Sequence, residues 1–166
     1  MSNPDTLKLF ITWTFGSLSS VGWEQMSVMA PVIACGILTA LLLQKQLNIL
    51  LLGKNYANGL GVSVPRLRLW IILATALLAG TSTAFTGPIA FIGITMPHVA
   101  RGLFGSPNHR IILPASMLCG AITLLVCDLI SQLPGMQGTL PINAVTALFG
   151  SPIIVWIILR NSYINK

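Results

Sequence analysis

Residues 26–43 form an uninterrupted apolar run, with one proline, Pro31, near its start. A helix needs ~20 such residues to cross a bilayer. This run and two others, 67–85 and 111–130, are each long enough, and that settles which solvent the chain is built for. Only 7% of the 166 residues are charged, against about 25% in a soluble domain. Hydrophobic residues make up 54%, and the mean hydropathy is +0.84. A water-facing surface cannot be made from so few charges. The expected fold class is therefore all-α, a polytopic transmembrane helical bundle of about five spans, one of them broken by Gly and Pro, with short interfacial helices.

The remaining segments follow in order. Residues 5–18 hold an apolar run after Lys8 that is too short to cross a bilayer and ends in Gly16, which reads as an interfacial or re-entrant helix. Residues 44–68 are the most polar region and carry Lys45, Lys54, Arg66 and Arg68. Within them, Leu51, Leu52, Tyr56 and Leu60 fall on one side of a short helix starting near Gly53. Gly59 and Gly61 would end it, and Pro65 would open the next element. Residues 131–141 are a Pro/Gly-rich loop. Residues 142–159 carry Gly150 and Pro152, which divide them into a short helix over 141–150 and a span over 152–160. TFGSL at 14–18 also echoes LFGSP at 148–152.

The stretch from 87 to 110, GPIAFIGITMPHVARGLFGSPNHR, is the irregular one. It is expected to cross the membrane over 88–104 despite its glycines and prolines, which requires its backbone to be buried against protein or to line a cavity. His98 and Arg101 lie one helical turn apart near its end. Ionisable residues within a membrane are functional candidates by default. The other reading is that Pro97, His98 and Arg101 satisfy freed backbone groups and anchor the helix end. Asp128 belongs at the opposite membrane face, ~30 Å away, so His98, His109 and Asp128 make no metal site. Cys35, Cys119 and Cys127 all sit in apolar segments without metal-like spacing and read as small buried hydrophobes. No signal peptide is visible at the start.

The net charge is +6, but the basic residues are scattered, whereas nucleic-acid binding needs a patch or stripe. Their distribution orients the chain instead. The 44–68 and 101–110 loops and the tail with Arg160 and Lys166 are basic, and the intervening loops carry no basic residue. Basic loops face the cytoplasm, so these segments, with the C-terminus, are placed inside. Lys8 is the exception.

Several motifs in order are similar to those of the FecCD family, the permease subunits of bacterial ABC importers for iron chelates and cobalamin. The first is Gly87, Ile89, Phe91, Gly93, Pro97, His98 and Arg101. His109, Arg110, Leu113 and Pro114 follow, then Leu140, Pro141, Thr146, Gly150 and Pro152. An earlier loop pattern is Leu52, Gly53, Ala57, Leu60, Gly61 and Val62. The resemblance covers essentially the whole chain but half of a family member, and implies the C-terminal half of an ABC importer transmembrane domain. Such a half is a fragment, a truncated product or one piece of a split permease.

The resemblance implies partners and roles. An ABC ATPase subunit would dock on a coupling loop over 51–65, with Leu52, Gly53, Tyr56, Ala57, Leu60, Gly61 and Val62 as its residues. Lys54 and Asn55 stand where the family often has an acid. Gly87, Phe91, Gly93, Pro97, His98, Arg101, His109 and Arg110 would be structural motif residues. Gly16, Pro141, Thr146, Gly150 and Pro152 would form an outer gate, with Gly16 and Gly150 as flexible joints. A periplasmic or lipoprotein substrate-binding protein would dock outside, where Gln132 stands at a position that can be Arg. The N-terminal half, a second permease copy and the lipid bilayer complete the partners. The cargo would be an iron-siderophore, haem or cobalamin-like chelate, and the location the bacterial inner membrane. No GxxxxGK[ST] motif occurs, so ATP and Mg²⁺ belong to the partner, this chain binds no cofactor of its own, and it is not itself an enzyme. The alternative is a membrane scaffold or orphan half-permease that binds partners without moving cargo. An intramembrane enzyme built on His98 and Arg101 is disfavoured, because no nucleophile–base pair accompanies the histidine.

Overall fold

The computed structural model describes residues 4–18, 21–132 and 141–164. Among these residues the chain forms α-helices and no strand: α1 (Pro4–Thr14), α2 (Trp23–Leu42), α3 (Gln44–Leu50), α4 (Lys54–Gly59), α5 (Val64–Thr86), α6 (Ile92–Phe104), α7 (His109–Ser131) and α8 (Ile142–Ile164). Most of the Pro/Gly-rich loop, including Leu140, lies outside the described residues, as does Lys166.

Local chemistry sets the helix ends. Gln25 reaches back from the first turn of α2 to accept from the Gly22 N–H at 3.2 Å. Pro65 sits in the first turn of α5, where its missing N–H costs nothing. Asn108 caps α7, its side-chain oxygen accepting from the Arg110 N–H at 3.0 Å. Gly105 closes α6 at φ 58°, with its N–H bonded to the Arg101 carbonyl, and Pro107 prevents continuation. Helices α2, α5 and α7 are long and apolar enough to cross a membrane.

The structure corrects two expected boundaries. The broken span is helical only from Ile92, so α6 has 13 residues rather than covering 88–104. At 1.5 Å per residue that is about 20 Å of helix. Residues 87–91 are irregular because Gly87 stands at φ 76° and Phe91 at φ 69°. Residues 142–164 form one helix that runs through both Gly150 and Pro152. The expected division into 141–150 and 152–160 does not occur. Pro removes one hydrogen bond, but in apolar helices neighbours compensate and the helix continues. The echo between 14–18 and 148–152 is likewise not structural: Gly16 follows the end of α1 in a turn, whereas Gly150 is inside α8.

Helices α2 and α5 pack as one pair, and α6, α7 and α8 as a second group. Gly36 makes the first contact close: a Cβ there would come within 2.7 Å of Leu78 Cγ. Gly120 performs a milder version of this in the second group, facing Met96 and Ile92. The two groups are joined at their ends. At one end α3 rests on α7. At the other, the 87–91 break meets the turn after α1 and the start of α8. The basic segments 44–68 and 101–110 thus share one end of the bundle, as their charge anticipated.

Little of the long helices is covered. Only 6%, 11% and 17% of the apolar windows of α2, α5 and α7 are buried, so their faces are left for lipid or further protein. Inside the α2/α5 contact there is no such freedom. Gly36→Val is expected to destabilise the pair by about 1–3 kcal/mol through overpacking, seen as a lower thermal unfolding midpoint in detergent with unchanged helix content at low temperature.

Candidate functional site

Two polar constellations stand out in this apolar chain, one at each end. The first is the joint around residues 87–91. Gly16 and Gly87 meet backbone to backbone. A Cβ on Gly87 would lie 3.1 Å from Gly16 Cα and would collide with the Trp13 carbonyl. Both glycines have positive φ, 71° and 76°, where other residues are strained. The Ser17 N–H donates to the Thr86 carbonyl at 2.9 Å, and Trp13 Nε1 donates to Ala84 O at 3.4 Å. The end of α1 is therefore stitched to the end of α5.

Asn143, in the first turn of α8, completes the joint. Its Nδ2 donates to Pro88 O at 2.6 Å and to Thr14 O at 3.3 Å. Its Oδ1 accepts from the Ala90 N–H at 3.1 Å. Backbone groups freed by the break must find partners in an apolar setting, and one amide, which both donates and accepts, supplies them. Ala90, Phe91 and Ile92 then form a γ-turn, with the Ile92 N–H bonded to Ala90 O at 2.9 Å and Phe91 at φ 69°, ψ −40°. This positive-φ form is rare and strained, a cost of about 1–3 kcal/mol. Gly150 makes room for it, since a Cβ there would be 2.5 Å from Phe91 Cβ and 3.6 Å from Thr95 Oγ1.

Behind the joint, α6, α7 and α8 line a half-open cavity of about 320 Å³, with Ile92, Thr95, Cys119, Thr123, Thr146 and Gly150 among its walls. Thr123 donates to Cys119 O at 2.7 Å, and Thr146 to Asn143 O at 3.2 Å. Thr95 is fully buried, and its hydroxyl is the one buried side-chain N or O among the described residues with no hydrogen-bond partner. Such a group carries an uncompensated desolvation cost of about 1–3 kcal/mol.

The second constellation lies at the other end. Asn48 Nδ2 donates to Asn108 Oδ1 at 2.7 Å. Asn48 Oδ1 accepts from the His109 N–H at 2.8 Å and faces His109 Nδ1 at 2.9 Å. That oxygen can only accept, so the bond requires His109 to carry a proton on Nδ1. Helix α3 is thereby locked to the start of α7. Beyond it, α4 ends in a doubly bonded cap: Val62 N–H to Ala57 O and Gly61 N–H to Asn58 O, both 3.0 Å, with Gly61 at φ 81°. This is the Schellman arrangement, which needs a glycine at that position. Ala57 is fully buried, while Leu52, Tyr56 and Leu60 are 66%, 56% and 56% exposed. A rigid element thus presents an apolar face outward.

The sequence-predicted residues separate accordingly. Gly16, Gly87, Phe91, Thr146 and Gly150 converge on the joint, and Pro141 begins α8 there, its carbonyl accepting from the Ala144 N–H at 2.9 Å. Pro152 is exposed two residues beyond Gly150. Gly150 is no joint between helices but a notch in a continuous one, and Gly16 is buried in a packed turn rather than free. Gly93 is exposed and Pro97 half-buried within α6. His98 and Arg101 are exposed; the side chain that takes up backbone groups freed at the break is Asn143. Arg110 contributes a capped backbone N–H. Asp128, at the far end of α7 from His109, accepts from Gln132 Nε2 at 2.7 Å. Asn48, Asn108 and Asn143 were missed. Asn143 had a signal, being the sole amide or charged residue in 142–159.

Gly87→Ala combines a disfavoured φ with a backbone collision. It is expected to cost about 3 kcal/mol or more, seen as loss of the monodisperse species in detergent, whereas Gly93→Ala, with open space around it, leaves that species unchanged.

A profile of the FecCD transport family matches residues 1–160. The chain is 41% identical over 158 residues to the vitamin B12 import system permease protein BtuC of Vibrio cholerae, covering 93% of this chain and 46% of that protein. It is 40% identical over 148 residues to the Fe(3+) dicitrate transport system permease protein FecC of Escherichia coli, covering 89% and 44%. It is 36% identical over 160 residues to the hemin transport system permease protein HmuU of Yersinia pestis, covering 96% and 48%. Among solved structures, a metal-chelate type ABC transporter in an inward-facing conformation superposes with a TM-score of 0.86 at 29% identity, covering 95% of this chain and 52% of that one. The chain spans about half the length of these relatives.

Proposed function

The chain belongs to the FecCD transport family, and from that premise we propose that it is the C-terminal half of the membrane-spanning permease of an ATP-driven importer. The cargo is a chelate of the iron-siderophore, haem or cobalamin kind, carried inward across a bacterial inner membrane. The relatives named for vitamin B12, ferric dicitrate and hemin support that class.

The observation that carries the reading is the outward apolar face of α4. Tyr56 on the capped, six-residue α4, with Leu52 in the turn before it and Leu60 at its C-cap, is exposed at one end of the bundle. A fixed apolar face outside the spans is what a partner groove requires. The partner is the ATPase subunit, which holds ATP and Mg²⁺, and this end, with the C-terminus, faces the cytoplasm, in keeping with the basic residues gathered there. Movement of α4 reaches the spans by two routes, directly into α5 and through α3 to the Asn48–His109 contact on α7. The joint around Gly16, Gly87 and Asn143 is then the outer mouth, where a substrate-binding protein docks. The uncovered faces of α2, α5 and α7 meet the N-terminal half, a second permease copy and lipid.

Capture of the ATPase subunit by the detergent-solubilised permease tests this. Replacing residues 53–65 with a Gly/Ser linker is expected to abolish capture. Capture that survives the replacement would move the interface elsewhere. Capture without ATP-driven cargo uptake by the assembled transporter would leave a scaffold that binds and does not transport.

A further inference from the structure

We infer that Asn143 is a clamp that holds the Phe91 joint in a tense conformation, and that letting go of it widens the half-open α6–α7–α8 cavity toward that end of the bundle. Three unfavourable features occur within a few residues of one another. Phe91 occupies a positive-φ γ-turn. The Thr95 hydroxyl, one helical turn later, is sealed in without a partner. The cavity lies directly behind both. Local strain persists only where surrounding structure imposes it, and here the imposing contacts come from one helix. The Asn143 amide binds Thr14 O, Pro88 O and the Ala90 N–H, so it ties the end of α1 and the irregular segment to the first turn of α8. Two helical turns on, Gly150 presses against Phe91 Cβ and sits beside Thr95 Oγ1.

These contacts act together. When the first turns of α8 move away, Phe91 is free to return to negative φ, water reaches Thr95, and the wall formed by Thr146, Phe149 and Gly150 leaves the cavity. Each local gain offsets part of the loss of the Asn143 bonds, which is what a two-state element requires. Asn143 is a positioning residue: it contacts backbone, and nothing assigns it to cargo. The inference rests on the transporter reading only where it identifies this end with the outer mouth.

Cys119 lines the cavity and reports on it. With Cys35→Ala and Cys127→Ala as background, its labelling rate by a small maleimide is measured on the full chain in liposomes, without ATPase, nucleotide or cargo. Asn143→Ala is expected to raise the rate roughly tenfold, the ratio that accompanies loss of hydrogen bonds to sequestered backbone groups. Phe91→Gly, which accepts positive φ without strain, is expected to lower the rate below the parent and to pull the double variant back toward it. A purely structural role would make both substitutions raise the rate. An unchanged rate in Asn143→Ala, or an increase in Phe91→Gly, overturns the inference. If Asn143→Ala does not assemble, Phe91→Gly alone decides by the same criterion. Because no ATPase is present, failure of ATPase capture would overturn the transport reading while leaving these rates as they stand.

Discussion

The amide of Asn143 is the contact on which the rest of this structure turns. An apolar bundle tolerates irregular backbone only when every freed carbonyl and N–H finds a partner, because neither lipid nor apolar side chains supply one. Residues 87–91 free several such groups at once. One side chain with a donor and an acceptor takes up Pro88 O and the Ala90 N–H, and also reaches Thr14 O. Without it, Pro88 O and the Ala90 N–H would lose their partner, and the first turn of α8 would lose its tie to the break.

The other connections in the fold follow the same economy of polar groups. Gly16 and Gly87 let two chain segments touch at backbone distance, so hydrogen bonds such as Ser17 N–H to Thr86 O can form directly. At the opposite end, Asn48 binds both Asn108 and His109 and fixes a seven-residue helix to a spanning one. Between these two ends the α2/α5 pair and the α6–α8 group rely on small residues and apolar packing: Gly36 against Leu78, and Gly150 against Phe91. Polar bonds determine how the ends are held, and the helix faces are left for lipid and further protein.

The spans over 26–43, 67–85 and 111–130 were legible because an apolar run of that length has few other solutions, and α2, α5 and α7 begin and end within a few residues of them. The short helix near Gly53 was legible in part: Tyr56 and Leu60 at helical spacing, closed by Gly61, match α4 and its cap, whereas Leu51 and Leu52 lie in the turn before Gly53. Gly150 and Pro152 misled. Both are helix breakers by propensity, yet α8 continues through them because the glycine is consumed by packing against Phe91. His98 drew attention as an ionisable residue within an apolar stretch, yet it is exposed, and the uncharged Asn143 does the work at the break.

By itself the sequence determined the solvent, the helical class, the family and the ends of the bundle to which the basic loops belong. Those properties are sums over many residues, so hydropathy, charge and ordered motifs suffice to read them. Tertiary structure alone decided which residues form the joint. Residues 14, 88, 90 and 143 are far apart in the chain, and their meeting depends on the geometry of α1, α5, α6 and α8 together. Their bonds run from one side chain to backbone groups, which every residue type carries, so the composition of their partners holds no trace of the pairing.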